Sequence, residues 1–156
     1  MAMAFVSNLG CAFQGVVRQH EARVALYYPA TGEQVTYGEL SRLADGMASA
    51  LWAKGLRRGQ VVAMFHDKSS AAFAVMLACL RLGIIYTNLD PDSPWERLRK
   101  IISSCQPSVI VNAFAVMPFG SDLDALGFQA VLHLRRMPEL GVWAAEGIFL
   151  MPIIEV

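Results

Sequence analysis

Leu80-Arg81-Leu82-Gly83-Ile84-Ile85-Tyr86-Thr87-Asn88-Leu89-Asp90-Pro91-Asp92-Ser93-Pro94-Trp95-Glu96-Arg97-Leu98 is the stretch whose reading decides the fold. An apolar helix ends at Gly83, where a residue without Cβ takes the left-handed conformation that closes a helix. Ile84 to Thr87 is β-branched and aromatic, the composition of a strand. Asp90-Pro91-Asp92 turns the chain. Ser93 stands before Pro94 and three residues before Glu96. That spacing predicts a helix capped by Ser93, with proline at its first position and a capping box closed by Glu96.

The same alternation continues on both sides. Upstream, Val61 to Phe65 is an unbroken apolar run, the pattern of a strand covered on both faces. Asp67, Ser69 or Ser70 then caps a helix through Leu82 that is apolar nearly all round, so it is expected to be deeply buried. Downstream, Trp95, Leu98, Ile101, Ile102 and Cys105 form the inner stripe of the next helix. Pro107 breaks it, and Ser108 to Val111 is another strand. Strand, helix, strand, helix, strand at this spacing makes two right-handed βαβ units. The fold class is therefore α/β, a parallel sheet with helices on its faces.

Before this unit, the spacing predicts a helix over residues 5–20 with Phe5, Leu9, Phe13, Val16 and Val17 on one stripe. A β-hairpin follows, from Val24 to Tyr28 and back over Gln34 to Thr36, turned by Pro29-Ala30-Thr31-Gly32. Thr36 and Glu39 make a capping box for a helix that runs to Lys54. Its apolar face is Leu40, Leu43, Ala44, Met47, Ala48 and Leu51, and Gly55 ends it. Arg57-Arg58-Gly59-Gln60 reads as an exposed turn. Beyond Asn112 the pattern thins to a short helix over Ser121 to Leu126 and a last strand over Phe128 to Leu134. Residues 1–134 are expected to form one subdomain. Residues 135–156 are an apolar tail with two prolines and no clear period, and they stay unassigned.

Composition bounds the partners. The 156 residues suit one domain with a real core. A hydrophobic share of 55% against 17% charged implies a core-rich layered fold or a surface meant to be covered. Zero net charge, with no run of one sign, gives nucleic acid or an acidic membrane nothing to hold. Ala71 to Leu80 is the longest apolar run, and it is too short to span a bilayer. No basic residue precedes Arg18, so a signal peptide's charged region is missing, and Leu9-Gly10-Cys11 is at most a faint lipoprotein signal. A cytoplasmic location is expected. Cys11, Cys79 and Cys105 form no C-x-x-C pair and read as small apolar residues.

The sequence contains no P-loop, no G-x-G-x-x-G after a strand and no G-x-S-x-G. His20, His66 and His133 are scattered without a local ligand pair, so no metal site is assigned. Open parallel sheets bind ligands at the carboxyl ends of their strands. Here those ends are His66-Asp67-Lys68-Ser69, Asn88 and Asp90 through Ser93, and the residues after Asn112. His66, Asp67, Asn88 and Asp90 are the rim candidates. Each also has a purely local reading. Asp67, Ser69 and Ser93 serve as caps, Asn88 and Asp90 as turn residues beside Pro91, and Lys68 as a solvated charge. Tyr37 and Trp95 read as core anchors, and Arg57 and Arg58 as turn residues.

Val35-Thr36-Tyr37-Gly38-Glu39-Leu40 resembles the first core motif of the adenylate-forming superfamily, which includes acyl-CoA synthetases, nonribosomal-peptide adenylation domains and luciferases. Leu80-Arg81-Leu82-Gly83 through Tyr86, Leu89-Asp90-Pro91, Pro94 and Glu96-Arg97-Leu98 resemble its second. Gly55 to Gly59, followed by Val61-Val62-Ala63, sits where the family has a glycine-bracketed turn and strand. The resemblance covers about residues 22–112 and looks most like amino-acid adenylation domains. Tyr86-Thr87-Asn88 departs from the usual tyrosine-valine-proline, and Leu82 replaces a common alanine. The family's phosphate-binding loop, adenine motif, ribose-holding acid, hinge and mobile lysine have no counterpart in these residues, so no catalytic residue is carried over.

The resemblance implies an N-terminal fragment or split half of an ATP-dependent acyl- or aminoacyl-adenylate-forming ligase, not competent alone. ATP and magnesium belong to a complete member, and this chain by itself is expected to bind no cofactor. The partners implied are a second chain that supplies the missing motifs, or self-association. A protein-interaction module derived from the same subdomain is the alternative, and an independent small-ligand binder at the strand ends is a third.

Overall fold

Apolar residues at every position of Val61–Phe65 need cover on both sides, and the architecture supplies it. A computed structural model describes residues 8–114, 118–127, 131–137 and 142–146. In chain order the elements are α1 (Leu9–His20), β1 (Val24–Tyr28), β2 (Glu33–Thr36), α2 (Tyr37–Ala53), β3 (Val61–Phe65), α3 (Ser70–Leu82), β4 (Ile85–Leu89), α4 (Trp95–Cys105), β5 (Val109–Asn112), α5 (Gly120–Ala125), β6 (Val131–Met137) and β7 (Val142–Glu146). β1 and β2 form an antiparallel hairpin, and the main sheet has the order β4-β3-β5-β6-β7. Its first four strands are parallel, and β7 closes it antiparallel to β6.

Strand periodicity sorts the core into two layers. Val62, Met64, Val109 and Val111 face α2 and α3, with Leu40, Ala44, Met47 and Leu51 from α2 and Ala71, Ala74, Val75, Ala78 and Cys79 from α3. Ala63, Phe65 and Ile110 face the other way, toward Leu98 and Ile102 of α4 and Leu123 of α5. The small residues of α3 let it lie close beneath the sheet. Full burial of a side chain such as Phe65 or Met64 contributes roughly 1.5–3 kcal/mol.

The α2 box forms as its sequence predicts. Glu39 N–H donates to Thr36 Oγ1 at 3.2 Å, and Thr36 N–H donates to Glu39 Oε2 at 2.8 Å. Ser69 is the α3 cap, accepting from Ala72 N–H at 3.3 Å, and Gly83 ends the helix at φ 68°. Arg81, at the end of α3, ties three helices together. It pairs with Asp45 and donates to Ser41 Oγ at 2.9 Å, both on α2. With its amide oxygen turned inward, Gln14 of α1 accepts from Arg81 Nε at 3.1 Å.

Several expectations need correction. Ser93 does not cap α4, because its hydroxyl is drawn back to Asp90 Oδ2 at 3.4 Å. Pro94 takes the cap position with no side-chain bond, and Glu96 pairs forward with Arg99 at 3.0 Å. In α1 the expected stripe holds only in part: Phe13 packs against the core and Val17 is half-buried, but Leu9 is 71% exposed and Val16 is also exposed, while Gly10 is buried. A Cβ on Gly10 would lie 3.3 Å from the Leu80 carbonyl carbon, so close approach to α3 fixes which face turns inward. Phe5 lies outside the described residues. The strand expected over 84–87 is Ile85–Leu89, and the strand expected to be last runs Val131–Met137 and is followed by β7. That hairpin falls partly in the stretch read as an unassigned tail. Among the described residues, no helix is long and apolar enough to cross a membrane.

Candidate functional site

The parallel register sets Phe65 level with both Leu89 and Asn112, so three strands end together. The first loop past that line is His66–Ser69. Lys68 there has φ 62°, a left-handed conformation unusual for a residue with a side chain. Three hydrogen bonds hold it. Lys68 N–H donates to His66 Nδ1 at 3.2 Å, Ser69 N–H donates to Asp67 Oδ1 at 3.0 Å, and the Tyr28 hydroxyl donates to the Lys68 carbonyl at 3.1 Å. Burial pushes the Tyr28 hydroxyl pKa up, and Glu33 and Asp67 add to the rise. Burial lowers the His66 imidazole pKa, with Asp67 opposing and Lys68 assisting.

Past β4, Asp90 closes its own turn. Its Oδ1 accepts from Asp92 N–H at 3.0 Å, and its Oδ2 takes the Ser93 hydroxyl. Asn88 is exposed on β4, one of the two outer strands of the described sheet. At the end of β5, Asn112 is fully buried. Its Oδ1 accepts from Phe114 N–H at 3.1 Å, and its Nδ2 donates to the Phe114 carbonyl at 3.0 Å. The chain then returns through Phe119, which stacks on Trp95 with ring centroids 5.5 Å apart and lies 6.4 Å from Phe65.

Of the sequence candidates, His66 and Asp67 are brought together in one loop, while Asn88 and Asp90 end the neighbouring strand in a separate turn. Two contributors were not among the candidates. Tyr28 reaches the rim from the hairpin, and nothing in a five-residue strand signals that. Asn112 could have been noticed as the polar end of an apolar strand. Trp95 packs as a core anchor, and Tyr37 lies 6.2 Å from Phe13. Arg57 does more than face solvent: it stacks over Trp52 at 3.7 Å and donates to the Trp52 and Leu56 carbonyls.

The Asp67 and Asp90 carboxylates bind their own backbone, and among the described residues no three His, Cys, Asp or Glu side chains converge to hold a metal. These two carboxylates are turned to the backbone and are not grouped for a metal ion. Burial pushes the Cys79 thiol up to about 12 and raises that of Cys105, so neither is an activated nucleophile.

A family model described as AMP-binding enzyme matches residues 13–140. The hybrid PKS-NRPS synthetase gkaA of Penicillium citrinum is 30% identical over 132 residues, covering 85% of this chain and 3% of that protein. The chain therefore spans a few hundredths of the length of such a relative. Among solved structures, CmiS6 superposes with a TM-score of 0.74 at 26% identity, over 100% of this chain and 36% of that one. The N-terminal subdomain of Klebsiella oxytoca NpsA superposes at 0.70 and 21% identity, over 82% and 32%, a likeness of fold alone. The ordered motifs, the α/β layers and the extent of the family match converge: this chain belongs to the AMP-binding enzyme family, the adenylate-forming superfamily, and has the fold of an N-terminal portion of its adenylation domains.

Proposed function

We propose that the chain is a structural portion of an ATP-dependent ligase that joins an acyl or aminoacyl carboxylate to AMP, and that these residues do not catalyse adenylation alone. The carrying observation is what the motif residues do in the fold. Thr36 and Glu39 close a helix cap, Leu40 enters the core, Gly83 ends α3, and Asp90 closes a turn. Every one of them builds the scaffold.

Adenylation needs a carboxylate aligned with the α-phosphate and donors that stabilise charge at phosphorus as pyrophosphate leaves. The residue types for that task, a Ser/Thr/Gly-rich loop and a mobile lysine, have no counterpart in the sequence. They would come from further polypeptide, whether a second chain or more of the same one. ATP and magnesium would bind in that completed site, in the cytoplasm. The test is carboxylate-dependent exchange of labelled pyrophosphate into ATP, screened over amino acids and simple acids. The expected result is no exchange above a heat-inactivated control. Clear exchange by a pure preparation would overturn the proposal.

A further inference from the structure

β4 is an outer strand, and among the described residues its strand partner is β3. In a parallel ladder the N–H and C=O of one residue point to the same side, and that side alternates along the strand. Ile85 N–H donates to the Gln60 carbonyl at 2.9 Å, so Ile85, Thr87 and Leu89 direct their backbone groups toward β3. Tyr86 and Asn88 direct theirs outward. Natural edge strands are usually guarded by charge, proline or a bulge. Ile85–Leu89 has no charge and no proline, its register with β3 is unbroken, and Ile85 is 56% exposed.

We propose that β4 pairs with β4 of a second copy of this chain, antiparallel about a two-fold axis at Thr87, so that one sheet runs through both. The outward groups fit that register. Tyr86 lies opposite Asn88 of the second copy and exchanges both backbone bonds with it, and the symmetry repeats the pair, giving four bonds. Thr87 meets its own copy as a non-hydrogen-bonded pair, and exposed Ile85 lies across from Leu89 of the second copy. An isologous contact needs this kind of self-complementarity.

The strand's two ends select the antiparallel arrangement. Its amino end rests on the basic turn: Gly59 N–H donates to the Gly83 carbonyl at 2.9 Å, and a Cβ on Gly83 would lie 3.0 Å from Arg58 Cγ. Its carboxyl end runs into exposed Asp90 and Asp92. Antiparallel pairing sets each acidic end against the other copy's exposed Arg58, twice. With zero net charge, the two copies carry no long-range repulsion. The proposal rests on this edge and not on the ligase reading.

Sedimentation velocity across a wide concentration range should show a reversible dimer that weakens as salt rises. Asn88→Pro removes an outward N–H from each copy and leaves the β3 ladder intact. It should weaken the dimer about thirtyfold, the equivalent of two neutral hydrogen bonds. In a Cys11→Ser background, Thr87→Cys should cross-link as a disulfide dimer on mild oxidation, because paired Cα atoms about 4.5 Å apart fall within disulfide reach. Tyr27→Cys, exposed on the hairpin, should not. If Asn88→Pro fails to fold, the cross-link decides. A wild-type monomer at every concentration, or a dimer with no Thr87→Cys cross-link, would overturn the proposal.

Discussion

The two βαβ crossovers share one sheet and differ in how their helices are closed. α3 begins on a Ser69 cap and ends on Gly83, each the residue that local rules favour. α4 begins at Pro94 without a side-chain cap and ends on Gln106, a residue with a side chain held at φ 46°. The first unit is consistent at every level, from cap to core. The second keeps its helix by packing: Leu98 and Ile102 are buried against the sheet, and Trp95 is stacked on Phe119. Sequence signals for caps are therefore reliable only where no nearby acceptor competes. Beside α4, Asp90 competes for the Ser93 hydroxyl and wins.

The largest test falls on the better-closed unit. Gly83→Val places a β-branched residue at φ 68° and drives its Cβ into the Arg58 stem, 3.0 Å away. The expected cost is about 2–4 kcal/mol, read as a lowered denaturation midpoint with an unchanged slope. An unchanged midpoint would show that this helix end tolerates what its geometry forbids.

The next test sets the two crossovers directly against each other. Ser69→Ala removes the oxygen that accepts from Ala72 N–H and should cost about 1 kcal/mol. Ser93→Ala removes only an exposed turn contact and should stay within about 0.5 kcal/mol of wild type. Equal losses would restore Ser93 as a cap and erase the distinction between the units.

What could be read from the sequence divides along the same line. β3, α3 and the α2 capping box were legible because period, cap and terminator agree over a single stretch. The register of α1 was legible only in part: Phe13 turns to the core as its stripe predicts, but a glycine contact with α3 leaves Leu9 and Val16 exposed. The β6–β7 hairpin was missed because Val142–Glu146 has no alternating pattern to separate it from the apolar residues around it. At the rim, the sequence could supply His66 and Asp67 as neighbours, since both lie in one loop. It could not supply Tyr28, whose contact with Lys68 spans forty positions of chain. The local reading of the rim carboxylates was legible, and Asp67 and Asp90 do bind the backbone of their own turns.

The smallest expected effect concerns the loop that opens the first crossover, because that loop holds an imidazole and the second turn does not. His66 is half-buried, and its Nδ1 accepts the Lys68 N–H, a bond that only an unprotonated Nδ1 can make. Burial lowers its pKa, Lys68 adds to the lowering, and Asp67 partly offsets both. A folded-state pKa below the unfolded one means that folding favours the neutral ring. The resulting stability is complete above the ordinary histidine value of about 6.5 and is lost as pH falls through the lower folded value. Acidifying from about pH 7 to pH 5 should therefore lower the wild-type denaturation midpoint. His66→Gln should lose less over the same interval, because a neutral amide has no proton to gain. The Glu39 carboxyl is held below its usual range mainly by its bonds to Thr36, so its contribution disappears only in stronger acid and leaves this window clear. Identical pH slopes for wild type and His66→Gln would mean that the loop rearranges freely around a charged ring. The strain at Lys68 would then be held by Tyr28 and Asp67 alone.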